Sequence, residues 1–178
     1  TDHIAGLLGV EPAGIIYTSG ASESNNLAIK GIAQASRNTG RHMISTVLEH
    51  ASVGGTLTAL QQQGREVDLL DIQRDGTIDL EQLGDLLRKD TILVSVCAVD
   101  SELGTVQPIR KITEILKDFP NCRLHVDATQ AIGKTELVMD GVDTMSIAPH
   151  KFYGLNGSGL LLKKSSLIIE PQTHDALP

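Results

Sequence analysis

Five short stretches of the 178-residue sequence hold side chains able to do chemistry: Thr18-Ser19-Gly20-Ala21-Ser22-Glu23, Leu48-Glu49-His50, Asp100-Ser101-Glu102, Asp127-Ala128-Thr129-Gln130 and Pro149-His150-Lys151. The first passes from an apolar run through glycine into a helical pattern. Free backbone N–H groups at a helix start, at the positive end of its dipole, form a cradle for phosphate, and Gly20 lets a ligand approach the main chain. Ser22 capping a helix whose first turn carries Glu23 accounts for the same residues. Asp127 closes the apolar run Arg123-Leu-His-Val and is open to two readings as well. It is either the cap of the next element or a carboxylate that keeps a pyridine nitrogen protonated, making that ring an electron sink. Lys151, on a glycine-rich turn after His150, is either a solvated lysine or an amine whose pKa is lowered so that it forms a Schiff base with an aldehyde. His50 is either a hydrogen-bonded loop residue or a ring laid on a flat cofactor. Taken together, an anion cradle, a planar stacker, a carboxylate for a ring nitrogen and an amine for an aldehyde complement one another and describe a site for pyridoxal phosphate. A rival reading uses His50, His125, Asp127 and His150 as metal ligands, since His125 and Asp127 are two apart on a strand and face one side.

The elements that must position these residues alternate. GIIYT, HMISTV, REVDLLDI, TILVSVCAV, RLHVDA, DTMSIA and GLLLKK read as strands, and SNNLAIKGIAQAS, SVGGTLTALQQQ, LEQLGDLLRK and IRKITEILKDF as helices. This order argues an α/β domain with a largely parallel sheet. TILVSVCAV is apolar on successive residues, as a strand covered on both faces is. Gly40 and Gly64 follow helical patterns, and Pro108 sits where a first helical turn accepts it. All five reactive stretches come just after a strand, so in a parallel sheet they converge along one edge.

Composition narrows the partners. A formal charge of -7 and the lack of any Lys/Arg run leave no basic surface for nucleic acid, so small molecules and proteins remain. No apolar stretch reaches the length of a membrane span. Cys97, inside a strand-like run, and Cys122 form no close pair, which fits a reducing, cytoplasmic setting. With 40% hydrophobic residues the chain can bury one core, and it reads as one domain. The first residue is Thr1, and both ends read as cut.

The motifs YTSGASESNNLAIKG, LEHASV, TILVSVCAVDSELGTVQPI, LHVDATQAIGK and APHKFYGLNGSG closely resemble, in order and spacing over nearly the whole chain, those of the cysteine desulfurases. These are class V aminotransferase-like, fold type I pyridoxal-phosphate enzymes. The resemblance implies a three-layer α/β/α fold with a mostly parallel, mixed sheet, and residues 1–178 as the large cofactor-binding domain without the family's N-terminal arm and C-terminal small domain. It implies Lys151 as the lysine that anchors the cofactor, Asp127 at the pyridine nitrogen, Gln130 at the phenolic oxygen, His50 on the ring, and Ala21, Ser22 and His150 at the phosphate. It further implies L-cysteine as substrate, alanine and a persulfide as products, a sulfur-acceptor protein as in iron–sulfur cluster assembly, and a homodimer.

Three departures stand out. Asp100-Ser101-Glu102 replaces the family's Asn-Asn-Glu, which puts Ser101 at the phenolic oxygen. Ala148 stands where a serine usually binds phosphate, and Gly154-Leu155-Asn156-Gly157 replaces Gly-Pro-Lys-Gly. Neither Cys97 nor Cys122 matches the position of the family's nucleophilic cysteine. Two alternatives stay open: another class V reaction (selenocysteine lysis, sulfinate removal or transamination), and a cofactor-free fragment or scaffold that binds a partner.

Overall fold

The computed structural model describes residues 2–148 and 158–169. Along the chain lie α1 (Asp2–Leu8), a 3-10 turn (Pro12–Gly14), β1 (Ile15–Thr18), α2 (Ala21–Ala35), β2 (His42–Thr46), α3 (Ala51–Gln62), β3 (Glu66–Leu70), α4 (Leu80–Leu86), β4 (Thr91–Cys97), α5 (Ile109–Leu116), β5 (Arg123–Asp127), β6 (Thr144–Ile147) and β7 (Gly159–Lys163). The strand and helix assignments made from the sequence hold in kind and order, with α2 starting earlier than expected, at Ala21, and α4 and α5 ending earlier, at Leu86 and Leu116. Pro149, His150 and Lys151 lie outside the described residues.

The described strands form one seven-stranded sheet in the order β1-β7-β6-β5-β4-β2-β3. Pairing is parallel from β6 through β5, β4 and β2 to β3. β7 runs antiparallel to both neighbours, β6 and β1. The sheet is therefore mixed and mostly parallel, as the resemblance implied.

The layers follow from which face each apolar side chain takes. Met43 and Leu93 pack with Ile29, Ile32 and Ala33 of α2 and with Val53, Leu57 and Leu60 of α3. Their strand neighbours Ile44, Val94 and Val96 point the other way, onto Ala5 of α1, Leu83 of α4 and Ile112 and Leu116 of α5. β4 is buried at all seven positions, which explains its unbroken apolar run. The helix after β2 thus lies on one face and the helix after β4 on the other, although β2 and β4 are neighbours. Adjacent strands whose connections leave on opposite faces open a crevice at their carboxyl ends, where ligands of α/β sheets bind.

Gly40, which follows α2 as the sequence suggested, has a further role. A Cβ there would collide with the carbonyl of Asp90, so the glycine lets two backbones pass. Gly84, exposed within α4, meets nothing within 4 Å. Urea unfolding checks the contrast. Gly40→Ala is expected to destabilise by about 1–3 kcal/mol through overpacking, and Gly84→Ala to stabilise by about 0.5–1 kcal/mol through helix propensity.

Candidate active site

A cavity of about 400 Å³ opens at the carboxyl edge of the parallel strands. Gly20, Ala21 and Ser22 reach it from the end of β1, His50 from β2, Asp100 and Ser101 from β4, and Asp127, Thr129 and Gln130 from β5. Four of the five reactive stretches thus meet as the sequence suggested, and the fifth, with His150 and Lys151, is outside the described residues.

The helix start forms the end of the cavity whose backbone suits an anion. Gly20 is the N-cap of α2 and no side chain caps it. The reading of Ser22 as a cap is corrected here: Ser22 sits inside the first turn, two residues past the cap position. Glu23 turns back to Ser19, whose hydroxyl and N–H both donate to it and hold its carboxyl below the ordinary carboxylate range. The first-turn N–H groups therefore keep the exposed, positive character that attracts anions. A Cβ on Gly20 would enter open space, so the room beside that backbone is cavity. Behind it, Gly159 of β7 fits so closely that a Cβ would come within 2.5 Å of Thr18 Oγ1 and of the Gly20 carbonyl carbon. The strand thereby fixes the height of the cradle. Among the described lining residues there is no lysine or arginine, so of these the start of α2 supplies the positive potential through its dipole.

Asp127 is buried, 6% exposed, at the end of β5. Its Oδ1 accepts the Thr129 N–H at 3.0 Å and the Thr129 hydroxyl at 2.6 Å, and its Oδ2 accepts Asn25 Nδ2 at 3.0 Å. A carboxylate offers about four lone-pair sites, so a place on Oδ2 remains for one further donor. The segment after Asp127 is a run of turns, and the carboxylate organises the first of them while it lines the cavity. His50 likewise has both roles. It is the N-cap of α3, with Nδ1 accepting the Ser52 N–H at 3.1 Å, and its exposed ring lines the cavity.

Asp100, 1% exposed, accepts the N–H groups of Glu102, Leu103 and Thr105 and so folds the loop that presents Ser101. Ala148 is buried, and Ser146 does not take over its missing hydroxyl, because Ser146 Oγ faces His125 Nε2 at 3.5 Å inside the sheet. His125 is wholly buried and both ring nitrogens are engaged, Nδ1 with Thr144 Oγ1 at 2.7 Å and Nε2 with Asn25 Oδ1 at 2.9 Å. Neither nitrogen is left for a metal. Among the described residues no group of three His, Cys, Asp or Glu side chains is placed to hold one.

Two polar residues were missed by sequence reasoning. Asn25 is 1% exposed and joins His125 to Asp127. Glu49, in the loop after β2, accepts the Thr46 hydroxyl at 2.6 Å and the Cys97 N–H at 3.1 Å on Oε2, while Oε1 is buried with no partner. Burial pushes the Glu49 carboxyl up to about 7. Beside it, burial and the carboxyl groups of Glu49, Asp127 and Asp100 push the Cys97 thiol well above its ordinary range, so Cys97 is a poor nucleophile despite lining the cavity.

A further cavity of about 540 Å³ lies on the α5 side of the sheet. Its buried amide, Gln107, is already committed to Gly76 O and the Ile78 N–H, and none of the reactive stretches reaches it.

The sign of the Glu49 contribution follows from linkage. The folded state binds the proton more tightly than the unfolded chain, so this contribution is complete below about pH 4.5 and is lost as pH rises through about 7. His125, held down to about 4 by burial, acts in the opposite sense: its contribution is present above about pH 6.5 and is lost as pH falls through about 4. Urea unfolding of Glu49→Gln against the parent is expected to show the variant gaining stability from pH 4.5 to about 7 and levelling off above it, by on the order of 3 kcal/mol in all. A difference that does not change with pH contradicts the assignment.

The family model for aminotransferase class-V matches residues 1–173. A NifS/IcsS protein homolog of Lactobacillus delbrueckii subsp. bulgaricus is 46% identical over 172 residues, 95% of this chain and 45% of that protein. A cysteine desulfurase IscS of Colwellia psychrerythraea is 44% identical over 177 residues, 97% of this chain and 44% of that protein. Among solved structures, a NifS-like protein superposes with a TM-score of 0.92 at 36% identity, over 97% of this chain and 48% of its own. SspA, solved in complex with cysteine, superposes with a TM-score of 0.88 at 36% identity, over 97% of this chain and 51% of its own. The chain spans about half the length of these relatives. It belongs to the aminotransferase class-V family, among relatives that carry the name cysteine desulfurase.

Proposed function

We propose that this chain is the large cofactor-binding domain of a pyridoxal-phosphate-dependent cysteine desulfurase. The observation that carries the reading is the single cavity in which an uncapped helix start, a histidine ring and a buried carboxylate with one acceptor site left face one another. The residues fit the group. Open space beside Gly20 suits a phosphate on the N–H groups of Ala21 and Ser22, with the Ser22 hydroxyl beside them. The His50 ring, oriented through Nδ1 by Ser52, would cover the pyridine face. Asp127 would accept the ring N–H, and Gln130 and Ser101 would donate to the phenolic oxygen. His150 at the phosphate and Lys151 as the covalent anchor are assigned from their place in the sequence.

When bound, the cofactor supplies an electron sink for a carbanion formed beside the substrate amine. The protein holds charge and protons in place for that chemistry. Asp127 keeps the ring nitrogen protonated, the α2 N-terminus binds the dianionic end, and Lys151 carries a proton to and from the substrate carbon. With L-cysteine as substrate, an enzyme cysteine thiolate takes the substrate's sulfur as a persulfide and leaves alanine, the outer sulfur then passes to an acceptor protein, and the working form is a homodimer in the cytoplasm. The persulfide carrier is neither Cys97 nor Cys122. Both are buried, and burial raises both thiols, that of Cys122 to about 12.

Borohydride reduction of the chain treated with pyridoxal phosphate, followed by peptide mapping, tests the anchor. The label is expected on Lys151. A label on another lysine, or none on a folded chain, contradicts the reading. The same preparation is expected to release no alanine from L-cysteine above background, and turnover by the verified 178-residue chain contradicts the exclusion of Cys97 and Cys122.

A further inference from the structure

Asn25, on α2, bonds to residues of β5 and α3, and every polar atom of its side chain has a partner. Oδ1 is 2.9 Å from His125 Nε2 on β5. Nδ2 donates to Asp127 Oδ2 at 3.0 Å and reaches Ser52 Oγ, in α3, at 3.4 Å. Ser52 in turn meets His50 Nδ1 through both its N–H and its hydroxyl. Asn25 itself is carried one turn into α2, the helix whose start forms the anion cradle.

The directions of these bonds are fixed by chemistry. A carboxylate only accepts, so Asn25 must present its NH₂ to Asp127 and its carbonyl to His125. His125 must then donate from Nε2, which leaves Nδ1 to accept the Thr144 hydroxyl, 2.7 Å away. The chain runs one way, from Thr144 through His125 and Asn25 to Asp127. Reversing any member leaves a buried donor facing a donor, or an acceptor facing an acceptor, at a cost of about 1–3 kcal/mol.

We propose that Asn25 is the positioning residue of the site, fixing Asp127 and, through Ser52, His50 relative to the helix start that binds the anion. The proposal rests on the pyridoxal-phosphate reading of the cavity. It goes beyond that reading by assigning to one buried amide the spacing between the three contacts made to one ligand. Asn25 touches neither ring nor phosphate. Its effect is to restrain Asp127 Oδ2 so that the remaining lone pair meets the ring N–H, and to set the plane of the His50 ring.

The test compares the affinity of the full chain for pyridoxal phosphate with its affinity for the 1-deaza analogue, in which C–H replaces the ring nitrogen, in the parent, Asn25→Ala and Asn25→Leu. The parent is expected to prefer the nitrogen compound by about tenfold or more, the range of a hydrogen bond to a charged group. Substitution at Asn25 is expected to cut that preference about fivefold or more. A purely structural role lowers both affinities together and leaves the preference unchanged, which overturns the proposal. Should the parent bind neither compound, the cofactor reading fails, and the hub is then decided by ¹⁵N NMR of the parent's histidine rings, which does not depend on folding of a variant. His125 with its proton on Nε2 upholds the chain of bonds, and His125 with its proton on Nδ1 overturns it.

Discussion

The hydrogen bond from Asn25 to Asp127 is the contact on which the rest of the site depends. A carboxylate at 6% exposure is tolerated only when its lone pairs are met, and three donors meet them. Two come from Thr129, two residues along the same chain, but the third comes from a helix 102 positions away in sequence. The packing of α2 across β4, β5 and β6, apolar where it meets β4, brings it there, so core burial and active-site geometry are coupled through one amide. The wholly buried His125 beneath it is held neutral, since burial disfavours the imidazolium more strongly than the nearby Asp127 favours it.

Topology decides why the reactive residues gather where they do. Six of the seven described strands run the same way, so the loops that leave their carboxyl ends share one edge. The connections after β2 and β4 then diverge to opposite faces and leave a cleft between them. β7 breaks the pattern and gains a different role. By running antiparallel between β6 and β1, it brings the backbone of Gly159 against Thr18 and Gly20, at the floor of the anion cradle. The positive end of α2 and the negative Asp127 are therefore set at fixed positions on a rigid frame, opposite in sign as a zwitterionic ring-phosphate ligand requires.

Much of this was legible in the sequence, for identifiable reasons. TILVSVC is buried at every position and reads so, because a strand covered on both faces has no polar side to show. Asp127, His50 and Ser101 could be singled out because each follows a strand-like run, where a parallel sheet exposes chain to solvent and ligand. The reversed direction of β7 was not legible from its residues, since GLLLK is as apolar as its parallel neighbours. Asn25 was hidden for another reason: inside a helical pattern it looks like a surface residue, and its partners lie on β5 and α3. Glu49 stands next to the residue that drew attention, His50, yet its burial depends on β4 arriving beside it. Ser22 as a cap stayed open as an alternative in the sequence because Ser and Gly both suit that position, and Gly20 occupies it while the Thr18 hydroxyl donates to the Gly20 carbonyl and meets Ser24.

The most direct test of the account is a crystal structure of this chain grown with pyridoxal phosphate. The account predicts the phosphate on the N–H groups at the start of α2, the ring under His50, and the ring nitrogen within hydrogen-bonding distance of Asp127 Oδ2, with Asn25 still bonded to that oxygen. A cofactor bound in another cavity, or a ring turned so that its nitrogen faces away from Asp127, contradicts it.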